Sequence, residues 1–156
     1  MLYSSLILPY LNYGVLAWGN AVQTRIDKLL LLQKRALRLI CNASYRSHTD
    51  AMFRENRILK ITDLYKLQLG CFMYNIDIND TPAVFKEMFQ KNNVIHDYST
   101  RQANDFHLPK NRTNFSNKTF MFTGPKMWNS LDCSLKQARN LDSFKYKLKN
   151  LFLERY

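Results

Sequence analysis

The chain holds 12 acidic side chains, and they are the first place to look for catalysis. Two-metal phosphoryl chemistry needs carboxylates clustered around ions about 3.5–4 Å apart. No Asp-Asp pair occurs, and Asp27, Asp50, Asp63 and Asp80 fall singly, at positions suited to helix caps and turns. Cys41, Cys71 and Cys133 are odd in number, far apart and without a CxxC pair, so they frame neither a disulfide scaffold nor a zinc site. They read as free thiols in a reducing compartment. His48, His96 and His107 lack metal-ligand spacing, and 4 glycines provide no phosphate-cradling loop. The chain on its own is therefore expected to be no enzyme and to carry no cofactor.

The cations remain. Lys and Arg number 23, for a net charge of +11, which favours an anionic partner such as nucleic acid or acidic lipid. The surplus is uneven: residues 25–60 carry +6, residues 61–100 carry −2, residues 101–131 carry +4 and residues 132–156 carry +3. Two clusters could contact phosphates. Lys28, Lys34, Arg35, Arg38 and Arg46 form the first; Arg101, Lys110, Arg112 and Lys118 form the second. A basic rail against a phosphate backbone is one reading of the first cluster. The solvated face of an ordinary helix is the other.

The elements that must position these cations are mostly helical. Thr24 and Asp27 resemble a capping box opening a helix over residues 24–41, with Ile26, Leu29, Leu30, Ala36, Leu37 and Ile40 inward. A polar turn over residues 42–50 precedes a short helix around residues 51–56. Thr62 or Asp63 caps a helix reaching to about residue 78, and Thr81 with Pro82 starts a short one. Phe106-His107-Leu108 and Thr119-Phe120-Met121-Phe122 read as short strands pairing through an Asn-rich turn, and Gly124-Pro125 as a break. A helical turn then carries Trp128 inward. Asp142 or Ser143 caps a last helix with Phe144, Leu148, Leu151 and Phe152 inward. The expected fold class is mainly α with a small antiparallel β-hairpin (α+β), with room for one core or two small ones.

Residues 1–24 carry no charged side chain. Pro9, Asn12, Gly14 and Asn20 interrupt the run, which argues against a membrane span. The start also lacks the basic lead of a secretory signal, so the N-x-S/T triplets at Asn42, Asn79, Asn111, Asn114 and Asn117 are not expected to be glycosylated. Leu2, Leu6, Tyr10, Tyr13 and Ala17 follow helical spacing, with Ile7, Leu8, Leu11, Val15 and Leu16 on the other faces. A segment apolar all round must be covered, which predicts an upstream part that covers it.

Several short motifs occur in a fixed order. They are Pro9-Tyr10-Leu11-Asn12-Tyr13-Gly14, Trp18-Gly19, Leu32-Gln33-Lys34-Arg35-Ala36-Leu37-Arg38 and Tyr45-Arg46-Ser47-His48-Thr49-Asp50. Tyr98-Ser99-Thr100-Arg101, Phe106-His107-Leu108-Pro109, Gly124-Pro125-Lys126-Met127-Trp128-Asn129-Ser130-Leu131 and Ser143-Phe144-Lys145 follow. Over nearly its whole length the chain resembles the C-terminal part of reverse transcriptases of non-LTR (LINE-type, jockey-like) retrotransposons. The family usually has Leu-Pro after Trp-Asn-Ser; here Leu131 is followed by Asp132, which loosens the turn before the last helix.

The resemblance implies thumb-like helices over residues 1–41, a helical connector over 42–89 and a C-terminal module over 90–156. It implies RNA or an RNA–DNA hybrid as partner, and a palm and fingers region upstream that covers residues 1–24 and holds the magnesium ions. It also implies an intracellular place, in a nuclear or cytoplasmic ribonucleoprotein, with no membrane attachment. Two other readings stay open: a protein-interaction or structural module that docks by its uncharged start, and a protein of acidic membrane surfaces.

Overall fold

Pro9 and Gly14 cut the uncharged start into three short helices, α1 (Leu2–Leu6), α2 (Leu8–Asn12) and α3 (Val15–Trp18). Pro9 lies in the first turn of α2, where its missing N–H is harmless. Gly14 has φ +60°, a backbone that stops α2 and starts α3. The computed structural model describes residues 2–78, 80–98 and 100–156. The segment offers two stripes with the same four-residue spacing, and the expected one faces outward. Leu2, Leu6, Tyr10 and Tyr13 are 61–85% exposed, whereas Tyr3 and Val15 are buried and Ile7, Leu8 and Leu11 pack on the core. Tyr3 decides between them: its hydroxyl accepts a hydrogen bond from the buried Gln33 amide.

Helix α4 (Gln23–Ile40) buries Ile26, Gln33 and Leu37, which recur at helical intervals. It starts two residues earlier than the capping box with Thr24 as N-cap predicts. Val22 is the N-cap and makes no side-chain cap bond. Asp27 instead accepts a hydrogen bond from the Gln23 side chain at 2.8 Å, so its carboxylate does not reach back to the helix start.

Helix α5 (Asp50–Glu55) is followed by α6 (Ile61–Asp77), which is buried on most sides. Neither Thr62 nor Asp63 caps α6. Gln33 Oε1 accepts the Ile61 N–H at 3.0 Å, and the Tyr156 hydroxyl accepts the Lys60 N–H at 2.9 Å. Two distant side chains thus satisfy amides that a helix start leaves open.

Next come α7 (Ala83–Met88) and α8 (Asn92–Ile95). Pro82 is the N-cap of α7, and Thr81 lies outside it with a buried hydroxyl that has no partner. A 3-10 turn, Ser116–Lys118, leads into α9 (Phe120–Asn129); α10 (Cys133–Lys136) and α11 (Leu141–Leu153) complete the order. Asn140, rather than Asp142 or Ser143, caps α11: its Oδ1 accepts the Ser143 N–H at 2.8 Å.

The chain is mainly helical, and the expected hairpin is not found among the described residues. Thr119 is a helix N-cap and residues 120–122 form the first turn of α9, with Gly124 and Pro125 inside it. Tertiary packing overrides the local aromatic preference for strand. Phe72 meets Phe85, Phe89 and Phe120 edge-on at 5.3, 5.9 and 5.9 Å. A Cβ on Gly124 would lie 2.8 Å from Met73 Sδ, so glycine lets the two helices approach without displacing the end of that methionine. Phe106 makes one antiparallel bridge, to Lys91. Its other backbone partner is the Asn129 side chain, which accepts the Phe106 N–H at 3.0 Å and donates to its carbonyl at 2.8 Å. That amide does the work a second strand would have done.

Contacts divide the chain into two compact units, residues 1–68 with 146–156, and residues 69–145. The first has a core of Tyr3, Leu37, Phe53 and Ile58, against which Tyr156 packs. The second is aromatic: Tyr74 stacks on Phe144 at 4.9 Å, and Trp128 lies 5.7 Å from Phe144. Among the described residues, no helix is long and apolar enough to cross a membrane.

Candidate nucleic-acid interface

Gln33 fixes the helix that carries the first cationic cluster. On the buried side of α4 its Nε2 donates to Tyr3 Oη at 2.6 Å and to the Leu59 carbonyl at 2.8 Å, while its oxygen holds Ile61. The opposite side of α4 therefore points to solvent. Lys28 and Arg35 are exposed there, and Lys34 and Arg38 are half-buried. Arg38 Nε donates to the Ser47 carbonyl at 2.9 Å, and Arg35 Nη2 reaches Tyr45 Oη at 3.5 Å. These bonds hold the segment carrying exposed Arg46 against the last turns of α4. Asn42, with φ +49°, makes the reversal: its N–H reaches Leu39 O and the Ala43 N–H reaches Arg38 O. That pair of bonds is a Schellman stop with the expected Asn in the left-handed position.

The face is not purely cationic. Leu31, Leu32 and Leu39 are 57, 58 and 82% exposed beside Lys28 and Arg35. The sequence spacing already puts Leu31 on one face with Lys28, Arg35 and Arg38; it does not show that Leu32 and Leu39 lack cover.

An acidic neighbour tempers Lys34. Lys60, 2.9 Å from Asp50, holds that carboxyl below its ordinary value, with Lys34 and His48 adding to the effect. Lys60 also sits 4.3 Å over the Tyr156 ring. The Tyr156 hydroxyl donates to Asp63 Oδ2 at 2.8 Å, and burial pushes that phenol above its usual range.

Arg101, Lys110, Arg112 and Lys118 belong to the second unit and are exposed. The loop carrying Lys110 and Arg112 is braced by bonds from Asn111 to Asn117 and between Thr113 and Ser116, at 3.1 and 2.8 Å. The Asn129 clamp on Phe106 ties the Phe106-His107-Leu108 stretch to α9. A cleft of about 430 Å³ with mixed polar and apolar walls lies beside it, lined in part by His96, Gln102, His107 and Leu108.

Arg54 and Arg57 went unnoticed in the sequence. Helix α5 also ends in a Schellman stop, with the Arg57 N–H on Arg54 O and the Ile58 N–H on Phe53 O at 3.0 and 2.8 Å. Here an arginine, at φ +52°, occupies the left-handed position that usually takes Gly or Asn. For a side chain with Cβ that backbone is unfavourable by about 1–2 kcal/mol. Its guanidinium donates to Asn150 Oδ1 at 2.7 Å and lies 5.7 Å over the Tyr146 ring.

Among the described residues, no three His, Cys, Asp or Glu side chains form a group that could hold a metal ion. No protein-family model, curated protein or solved structure matches the chain.

Proposed function

We propose that the chain is the thumb and post-thumb part of a non-LTR retrotransposon reverse transcriptase, non-catalytic on its own, which holds template-primer nucleic acid. The ordered motifs from Pro9-Tyr10-Leu11 to Ser143-Phe144-Lys145 support the family. The observation that carries the binding role is the outward face of α4, where Lys28 and Arg35 stand exposed with Arg38 and Arg46 beside them. Such contacts position a phosphate backbone without reading its sequence. Arg101, Lys110, Arg112 and Lys118 supply further cations.

The test is anisotropy of a labelled RNA–DNA hybrid titrated with the chain across a range of salt. Each phosphate contact steepens the log–log salt dependence by about 0.9 for a duplex, so Lys28→Gln with Arg35→Gln should flatten the slope by about 1.8. Binding that ignores salt would remove the rail. Magnesium-dependent primer extension by the purified chain would remove the non-catalytic part.

One observation favours a second reading, a module that docks to protein by its uncharged start. Leu2, Leu6, Tyr10 and Tyr13 form an exposed apolar face on α1 and α2. In that reading Arg35→Glu leaves partner binding intact, and Tyr10→Ser with Tyr13→Ser abolishes it.

A further inference from the structure

Arg54 and Arg57 line one cleft of about 260 Å³ with Asn150, Leu153 and Glu154. From this cleft we infer that the chain has a second nucleic-acid contact, in which the two guanidiniums hold a phosphodiester of a single strand while a base stacks on Tyr146. This rests on the reading above only in taking nucleic acid as the ligand. It uses none of the α4 cations.

Three observations carry it. First, both arginines line one small cleft, and neither is paired with an Asp or Glu side chain among the described residues. Planar forks of this kind match phosphate oxygens two at a time. Second, Arg57 is held before any ligand arrives, by Asn150 at 2.7 Å and by the Tyr146 ring. A fixed fork loses little freedom on binding. It stands where the equivalent stop on α4 has Asn42, so the chain keeps an arginine at a position whose backbone favours glycine or asparagine. Third, Tyr146 is 60% exposed and carries Arg57 over its ring. An exposed ring beside an arginine that also lines a cleft with a second arginine can take an unstacked base while the cleft takes its phosphate. Arg54 also donates to the Tyr156 backbone carbonyl at 3.3 Å, and Glu154 borders the cleft. Both weaken the pull on a phosphate, so the contact is expected to be weak, with a salt slope of about 1.4 from its two cations.

The ring decides the ligand class. A phosphoserine peptide or a phospholipid headgroup offers the phosphate and no base plane, so Tyr146 would add nothing for either.

The test is anisotropy of a labelled short oligouridylate with the full chain and its variants Arg54→Gln/Arg57→Gln, Arg57→Gly, Tyr146→Ala and Tyr146→Phe. The double variant should flatten the single-strand salt slope by about 1.4, since each lost contact removes about 0.7. Tyr146→Ala should lose about fivefold or more, and Tyr146→Phe less than that, since it keeps the stacking ring and gives up only the hydroxyl's bonds to Asn150 and Arg57. Arg57→Gly relaxes the backbone, so it should weaken binding while the melting temperature holds. If the double variant melts early, Tyr146→Ala and photocrosslinking of 4-thiouridine to the Tyr146 peptide decide. Unchanged affinity in Arg57→Gly and Tyr146→Ala, with crosslinks elsewhere, overturns the inference. So does competition by a phosphoserine peptide or phosphatidic acid vesicles that Tyr146→Ala leaves untouched. Lys28→Gln/Arg35→Gln separates the two readings: it should weaken the hybrid, and sparing the oligouridylate leaves the cleft standing whatever becomes of the rail.

Discussion

The side chain of Gln33, in the middle of α4, accepts the N–H of Ile61 at the start of α6, at 3.0 Å. The same amide serves Tyr3 and Leu59, so one polar group on a buried helix face ties three segments of the first unit together. Gln33→Ala would leave the Ile61 N–H and the Leu59 carbonyl without partners in the interior. Each orphaned group is unfavourable by about 1–3 kcal/mol, so the loss should be about 3 kcal/mol. Urea denaturation measures it as a lower midpoint. A loss under about 1 kcal/mol would mean that water replaces the amide at little cost.

Tyr156 sets an alkaline limit on stability. Burial, reinforced by the nearby Asp63 carboxylate, raises its phenol above the ordinary 10.0, and burial raises Tyr3 as well. Both are acids whose folded values lie above their unfolded ones, so the unfolded chain gives up these protons first. Their contribution is fully present below pH 10 and is lost as pH rises beyond it. Thermal melts taken at rising pH should show stability falling from that point. Tyr156→Phe should be less stable at neutral pH by about 1 kcal/mol, for the lost Asp63 and Lys60 bonds. It should also fall less steeply in alkali. An equally steep fall would assign the effect to Tyr3 and the lysines.

Gly124 on α9 and Met73 on α6 form a close pair in the second unit. A Cβ at position 124 would sit 2.8 Å from Met73 Sδ and 3.4 Å from its Cγ. Gly124→Ala is expected to destabilise by about 1–3 kcal/mol, because an overfilled core must shift. The neighbour in the way is the flexible end of a methionine, which argues for the lower part of that range. Met73→Ala opens space, so the double variant should be more stable than the two single losses predict, by about 0.5 kcal/mol or more. A strictly additive cycle would show that α9 moves as a whole.

The long helices were legible because their spacing is strong: Ile26 with Leu37, Leu64 with Leu67, and Phe144 with Leu148 and Phe152 are all buried. What failed to show depends on partners distant in sequence. Gln33 looks like a polar interruption until Tyr3, Leu59 and Ile61 meet it. The aromatic stretch from Phe120 resembles a strand until Phe72 and Met73 are seen packing on it as a helix. Asn129 belongs to a recognisable motif, yet its bonds to Phe106 span 23 residues. Of the candidate site, the α4 cations were readable as a cluster. The Arg54 and Arg57 cleft was not, since Asn150 meets Arg57 from 93 residues away in the sequence.

The leucines on the outer face of α4 separate a pure phosphate rail from a mixed surface. Leu32 and Leu39 are 58 and 82% exposed, so burial in this chain does not explain them. Leu32→Ser with Leu39→Ser should therefore shift stability by no more than about 0.5 kcal/mol, the range of ordinary surface changes. Exposed leucines in a row promote association, so sedimentation velocity should show the variant less self-associated than the parent. If only the cations meet the backbone, the variant should bind the RNA–DNA hybrid within about twofold of the parent, with the same salt slope, since slope counts ionic contacts. A loss of affinity at constant slope would place the leucines against the sugars of the duplex. A drop in the denaturation midpoint would instead show that they pack within the chain, against the exposure observed.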